Sequence, residues 1–288
     1  MSQTQSDAEP QKIRGVFSSQ EVRKVGTGTT TRKTIQKTFW FCEEKDDGSL
    51  EVQPLNSNYI PSGPKKNVAR EAFLSHFAPE PELYMRSVYP KMREINKVVA
   101  RAERYRANNE LYSAEMEYGN ALKVDVENVR ANFGLGITYL ERGENEKAQN
   151  VFTRLVKLDA TFEEEHKHLF NEFGIKLRKN GMTDQAVKYY ERALELAGQD
   201  ENLLYNLARA CLEKKDMARC LDFLFKALAI NPRLEPALKF LHWLDGKGLV
   251  PEDKKKAVSA LRSEFGENGR PAADAAPPAV PPPAAEES

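Results

Sequence analysis

The chain has little cysteine: three residues, Cys42, Cys211 and Cys220, among 288. Three cysteines make no disulfide framework of the kind that stabilises small secreted domains. Isolated cysteines usually pack as small apolar side chains, so we expect Cys211 and Cys220 to fill small positions between helices. The scarcity of cysteine favours a protein that folds in a reducing compartment.

Long apolar runs are also missing. No stretch approaches the roughly 18 apolar residues of a membrane-spanning helix. The N-terminus, MSQTQSDAEP, lacks the positive-then-apolar pattern of an export signal. We therefore expect no membrane insertion and a cytoplasmic location.

Neither sign of charge is in excess, because 43 Lys and Arg residues balance 43 Asp and Glu residues. The net charge gives no reason to expect nucleic acid or an anionic membrane as a partner. Histidine is scarce, and the HKH motif places His166 and His168 two residues apart, whereas a helix brings together residues three or four apart. No pattern indicates a metal site, a cofactor or a catalytic set, so we expect a non-enzymatic protein.

The C-terminal segment, residues 267–288, is rich in proline and alanine and has no large apolar residue. Such a segment buries too little surface to offset the entropy of ordering, so we expect disorder there and in residues 1–11. The run PPAVPPP could also dock in an aromatic groove as a polyproline helix. A solvated tail is the interpretation that we favour.

The middle of the chain repeats itself. Four similar segments start 34, 38 and 34 residues apart; they are ALKVD, LVKLD, ALELA and ALAIN, beginning at Ala121, Leu155, Ala193 and Ala227. A small residue precedes each segment at a constant offset, namely Ala114, Ala148, Ala186 and Cys220. A bulky residue lies between, namely Tyr118, Phe152, Tyr190 and Leu224. Each period predicts two amphipathic helices joined by a short polar turn.

This pattern resembles the tetratricopeptide repeat family, whose period is 34 residues. The second repeat carries the fullest match, with Leu135, Gly136, Tyr139, Ala148 and Phe152 at the family positions. The resemblance implies an all-α, right-handed superhelical solenoid of stacked helix hairpins, because no hairpin buries its apolar face alone.

We expect the solenoid over residues 90–266. Its repeats are predicted near residues 95–128, 129–162, 167–200 and 201–234, with a capping unit at 235–265. The longer spacing between the second and third repeats falls near TFEEEH. It predicts a longer first helix in the third repeat.

Residues 12–80 have a different character and predict a small β-containing region. The run RKTIQKTFWFCEE is followed by the turn signal KDDGS and by LEVQPLN, which indicates a β-hairpin. REAFLSHF predicts a short helix. Because a lone hairpin is marginally stable in water, the region must dock on the repeats, pair with more strand or meet a partner.

The segment from Lys12 to Lys37 carries seven Lys and Arg residues against Glu21 alone. It could meet nucleic acid or an acidic protein face, with Trp40 and Phe41 adding stacking, or it could be a solvated arm. Within it, GTGTTTRKT is a poor nucleotide-binding loop, because Arg32 stands where that loop requires glycine. The run that follows also looks extended rather than helical.

The resemblance assigns fixed positions of each first helix to a concave, partner-binding surface. In this chain they are Phe133, Ile137, Asn171, Ile175, Tyr205, Asn206, Arg209, Lys239 and Trp243. We expect a partly apolar, aromatic groove in which Asn171 and Arg209 hydrogen-bond a peptide or pair with a carboxylate. Of the basic clamp by which some family members hold acidic chaperone tails, only Asn206 is present. Alternatively, the N-terminal region or the tail covers the groove.

Two glycines interrupt a predicted helix, although glycine costs about 1 kcal/mol there relative to alanine. Gly136 falls where the resemblance brings the two helices of one hairpin into contact, so a side chain would force them apart. Gly134 has no such packing reason, and we expect a bound backbone to pass close to it.

The favoured function is a non-enzymatic adaptor or scaffold that binds a peptide or protein segment in the concave groove. The alternative is a regulator whose basic N-terminal region binds nucleic acid or a small ligand, with the repeats as an oligomerisation scaffold. The sequence does not indicate an oligomeric state.

Overall fold

The computed structural model describes residues 12–25, 32–158, 166–198 and 200–265. The predicted disorder of residues 1–11 and 267–288 lies outside these ranges. The chain divides into two compact units, Met1–Thr161 and Phe162–Ser288, and each is considered separately.

The first unit begins with a five-stranded antiparallel sheet in the order β4-β3-β2-β1-β5. The strands are β1 Arg14–Val25, β2 Arg32–Glu44, β3 Leu50–Pro54, β4 Lys66–Val68 and β5 Phe77–Pro79. The predicted hairpin is confirmed: β2 pairs with β3 around a turn in which Gly48 has φ +79°. Strand β1 was not predicted; it pairs with β2 from Arg14↔Glu43 to Val25↔Arg32.

Successive side chains of β2 point to opposite faces of the sheet, and β2 has apolar residues on both faces. Both faces of the sheet are covered. On one face Cys42 packs with Leu50, Val52 and Phe73, the last from the predicted short helix, α1 Arg70–His76. The Phe73 ring lies 4.8 Å from the rings of both Phe17 and Phe77.

The opposite face of the sheet packs on the start of the helical region. There, Val16 and Phe41 bury Val88, which ends a π-helical turn, Tyr84–Val88. This turn joins α2 Pro81–Leu83 to α3 Tyr89–Ala107, the first long helix.

A loop that follows β3 fastens the sheet to the first helix hairpin. Asn58 Nδ2 donates to the Val124 carbonyl over 2.7 Å, and the Ser62 hydroxyl donates to Asp125 Oδ1 over 2.7 Å. Val124 is the last residue of α4 Leu111–Val124, where helix carbonyls lack intrahelical partners, and Asp125 is the capping residue that follows it. Thus two of the three expected outcomes for the N-terminal region hold, since it docks on the helices and gains further strands.

Asp125 is buried beneath this loop. Loss of hydration raises the pKa of its carboxyl group, although hydrogen bonds from Ser62, the Glu127 amide and Asn128 lower it. The ionised carboxylate therefore weakens the folded state at neutral pH.

We expect Asp125→Asn, which keeps an Oδ1 acceptor for the Ser62 hydroxyl and the Glu127 amide, to be at least as stable as the native chain at neutral pH. Asp125→Ala removes the acceptor and should lose about 1–3 kcal/mol of unfolding free energy. Since the folded-state pKa exceeds the unfolded one, the native chain should lose stability relative to the Asn variant as pH rises through the folded-state pKa. Urea unfolding between about pH 4 and pH 7 measures both differences. A less stable Asn variant at neutral pH would contradict this explanation.

The remaining described helices form hairpins in both units. In the first unit α3 pairs with α4, and α5 Val129–Glu141 with α6 Asn145–Leu155. In the second unit the helices are α7 Lys167–Lys179, α8 Thr183–Ala197, α9 Glu201–Glu213, α10 Met217–Ile230, α11 Glu235–Gly246 and α12 Glu252–Phe265. Side chains cap the N-termini of α5 and α9. Asn128 accepts a hydrogen bond from the Ala131 amide, and Asp200 accepts one from the Leu203 amide.

The predicted longer first helix of the third repeat is not seen in the described residues. α7 has 13 residues, as do α5 and α9. The inserted stretch near TFEEEH lies outside the described ranges, apart from His166.

Gly134 on α5 faces the second helix of the preceding hairpin. A Cβ placed on it would lie 2.1 Å from Tyr118 Cζ, and the Tyr118 ring is fully buried. In the second unit Gly174 on α7 makes room for Tyr190 on α8, the second helix of its own hairpin, where an added Cβ would lie 2.5 Å from Tyr190 Cζ. The tyrosine ring, rather than a passing ligand, explains Gly134, which corrects the expectation drawn from the sequence.

Candidate functional site

On each first helix of the second unit, predicted groove positions hold a pair of half-buried residues four positions apart. The pairs are Asn171 and Ile175 on α7, Tyr205 and Arg209 on α9, and Lys239 and Trp243 on α11. Residues four apart share one side of a helix. Asn206, beside Tyr205, is also half-buried. These seven residues are the part of the predicted groove that lies in the second unit.

The aromatic members of this set are connected through Phe240. The Tyr205 ring on α9 meets Phe240 on α11 edge to face, with centroids 6.1 Å apart, and Phe240 stacks on Trp243 at 6.3 Å. Phe240 is buried, whereas Tyr205 and Trp243 keep exposed surface. We call Tyr205, Phe240 and Trp243 the aromatic row. The sequence assignment missed Phe240, because its contact with Tyr205 joins two helices that are distant in sequence.

Arg209 lies at one end of this row, with its guanidinium carbon 5.8 Å from the Tyr205 ring centroid. Cation–π contact of this kind holds the side chain over the ring. Neighbouring cations are paired, since Arg178 bonds Glu213 and Lys239 bonds Glu235. Within the described ranges, Arg209 has no carboxylate partner within 4 Å.

Tyr190 lies on α8, which packs against both α7 and α9. Burial raises the pKa of its hydroxyl, while the charges of Arg178 and Arg209 lower it. The hydroxyl is therefore neutral at physiological pH. Neither Tyr190 Oη nor Asn171 Oδ1 has a hydrogen-bond partner in the described structure, and both atoms are buried.

Two predicted groove residues, Phe133 and Ile137, lie in the first unit and are fully buried. α5 packs against α3, α4 and α6, so little of its surface is left open. Neither side chain presents surface to a partner, and their assignment to the groove fails. The run FGLGITYL is apolar on all sides, which is the usual signal of a buried helix.

The basic N-terminal segment is largely neutralised where its side chains are described. Lys12 pairs with Asp46, Arg14 with Glu43 at 3.3 Å, and Lys37 with Glu80 at 2.5 Å. The glycine-threonine stretch, residues 26–31, lies outside the described ranges. β2 starts at Arg32, so a strand follows it instead of the helix that a nucleotide-binding loop requires.

Models of the tetratricopeptide repeat match residues 99–161 and 177–241. The chain is a tetratricopeptide repeat protein. These repeats are protein-interaction modules and are generally non-catalytic scaffolds. The chain is therefore an adaptor for protein–protein interaction in the general sense.

Solved structures with similar helix arrangements belong to other tetratricopeptide proteins. PilF of Pseudomonas aeruginosa shares 15% identity, with 63% of this chain and 79% of PilF covered and a TM-score of 0.45. MamA shares 21% identity, with 59% of this chain and 92% of MamA covered and a TM-score of 0.44. YrrB, described as a tetratricopeptide protein with an unusual peptide-binding site, shares 20% identity, with coverages of 62% and 94% and a TM-score of 0.41. No curated protein sequence matches the chain.

None of the described helices is both long and apolar enough to cross a bilayer. Among the described residues, no group of three or more His, Cys, Asp and Glu side chains could hold a metal ion.

Proposed function

We propose that this repeat protein is a non-enzymatic adaptor that binds a segment of a partner protein. The segment binds along the groove residues of α7, α9 and α11, the first helices of the second unit. The observation that carries the proposal is the aromatic row with Arg209 at its end. Tyr205 and Trp243 keep exposed surface although they lie among tightly packed helices. Aromatic and arginine side chains held in this way supply much of the binding energy of protein interfaces.

The site is held in place before any partner arrives. Phe240 is buried and contacts both Tyr205 and Trp243, so the rings have few alternative positions. A partner that binds on fixed rings loses less conformational entropy than one that must order them. The helices beneath are fastened by the Lys167–Asp200 ion pair at 2.7 Å, which joins α7 to the cap of α9.

Tyr205→Ala and Trp243→Ala are each expected to weaken partner binding roughly 10- to 100-fold, as truncation of central aromatic residues does. Phe223→Ala is the matched control, because Phe223 is also half-buried but lies on α10, a second helix. The measurement is affinity purification of the full chain and its variants with quantitative mass spectrometry. Partners should be lost from both groove variants and kept by the control. Equal partner profiles for all four proteins would overturn the proposal.

A further inference from the structure

We infer that the bound segment is acidic and apolar in alternation, with one carboxylate at Arg209 and an aromatic or branched apolar side chain on Tyr205 and Trp243. This inference rests on the proposed function and specifies the chemistry of its partner. It differs from recognition through a basic clamp, since of the clamp residues only Asn206 is present.

The charges around Arg209 favour a single carboxylate. Arg178 is almost fully buried and its charge is balanced by Glu213, while the Lys239 charge is balanced by Glu235. Both ion pairs are neutral. Among the groove residues of the described α7, α9 and α11, the Arg209 guanidinium therefore carries the one charge that is not balanced by a carboxylate. A guanidinium that is already oriented on a ring binds a carboxylate with good geometry.

No neighbouring group takes the place of that carboxylate. Glu213, one turn along α9 from Arg209, is paired with Arg178. The Tyr190 hydroxyl lies near both arginines, and burial raises its pKa, so it stays neutral. Asn206 and Asn171 carry no charge, so neither neutralises the guanidinium.

The distances set the spacing between the two recognised side chains. Arg209 lies 5.8 Å from the centre of the Tyr205 ring. Alternate residues of an extended segment point to the same side and are about 6.5–7 Å apart. The acidic residue and the apolar residue should therefore be two positions apart in the partner.

The chain's own C-terminal segment does not fit this description. Residues 267–288 include Glu267, Asp274, Glu286 and Glu287, but the largest apolar side chain among them is Val280 and they contain no aromatic residue. The aromatic row would remain without a ring or large aliphatic group. We therefore assign the site to a segment of another protein.

The test is selection from a library of random peptides displayed on phage against the immobilised full chain. The selected peptides should carry Asp or Glu two positions from an aromatic or branched apolar residue. Synthetic peptides of the enriched sequence should bind in fluorescence anisotropy, and Arg209→Gln should weaken them at least tenfold. Arg233→Gln is the matched control, because Arg233 is exposed in the turn between α10 and α11.

Charge reversal separates recognition from a structural effect of Arg209. Arg209→Glu should reject the acidic peptides and bind the same peptides with lysine in place of the acidic residue. Thermal unfolding of each variant shows whether it is folded. Peptides without acidic enrichment, or equal binding by Arg209→Gln, would overturn this inference and leave peptide binding intact. If no peptide is selected, or if Tyr205→Ala and Trp243→Ala bind as the native chain does, the proposed function fails as well.

Discussion

Gly134→Ala is expected to destabilise the first unit by about 2–4 kcal/mol, a large effect for the addition of one methyl group. The new Cβ would lie 2.1 Å from Tyr118 Cζ, and a fully buried ring can move away only by displacing the residues packed around it. The gain in helix propensity from glycine to alanine, about 1 kcal/mol, is too small to compensate. Urea unfolding followed by circular dichroism measures the loss.

Gly119→Ala is the matched control, because Gly119 is also in a helix interior but no atom lies within 4 Å of its added Cβ. This substitution should be neutral or stabilising by up to about 1 kcal/mol. A double-mutant cycle with Tyr118→Leu then isolates the clash, since the penalty at Gly134 should shrink when the ring is absent. An unchanged penalty in the Leu background would show that the ring is not the cause.

Phe73→Ala is expected to cost about 3–5 kcal/mol, because it removes a buried ring from the centre of the sheet's aromatic cluster. The ring contacts Phe17 and Phe77, and the same cluster includes Trp40. The substitution should therefore shift both the urea midpoint and the Trp40 fluorescence.

Leu74→Ala provides the comparison within the same short helix. Phe73 is 1% exposed and Leu74 is 65% exposed, although they are neighbours in sequence. The Leu74 variant should differ from the native chain by no more than about 0.5 kcal/mol. Similar losses for the two variants would mean that α1 does not cover the sheet as described.

The helix hairpins were predictable from the sequence because their apolar positions recur at a fixed period. The hairpin of β2 and β3 was predictable from its turn residues and aromatic run. β1 was not, since the stretch from Arg14 to Val25 is mostly polar and reads as a basic arm. Its pairing depends on β2, on β5 and on the start of the helical region, contacts that no local pattern reveals.

The spacing within each first helix grouped Tyr205 with Arg209 and Lys239 with Trp243, and all four are half-buried in the structure. Spacing could not distinguish these half-buried pairs from Phe133 and Ile137, whose helix is covered on several sides. Nor could it show that Arg209 lacks a carboxylate while Arg178 has one, because the pairing of Arg178 joins the ends of two helices.

The burial of Val88 against the sheet determines how binding experiments with fragments of this protein should be interpreted. A fragment beginning near residue 90 would remove Val16, Phe41 and Val88 together and uncover the start of α3 around Met92. Newly exposed apolar surface adheres to many proteins. Proteins captured by such a fragment but not by the full chain should therefore be attributed to non-specific binding at the newly exposed surface. Only the full-length protein, used as bait, separates specific from non-specific binding.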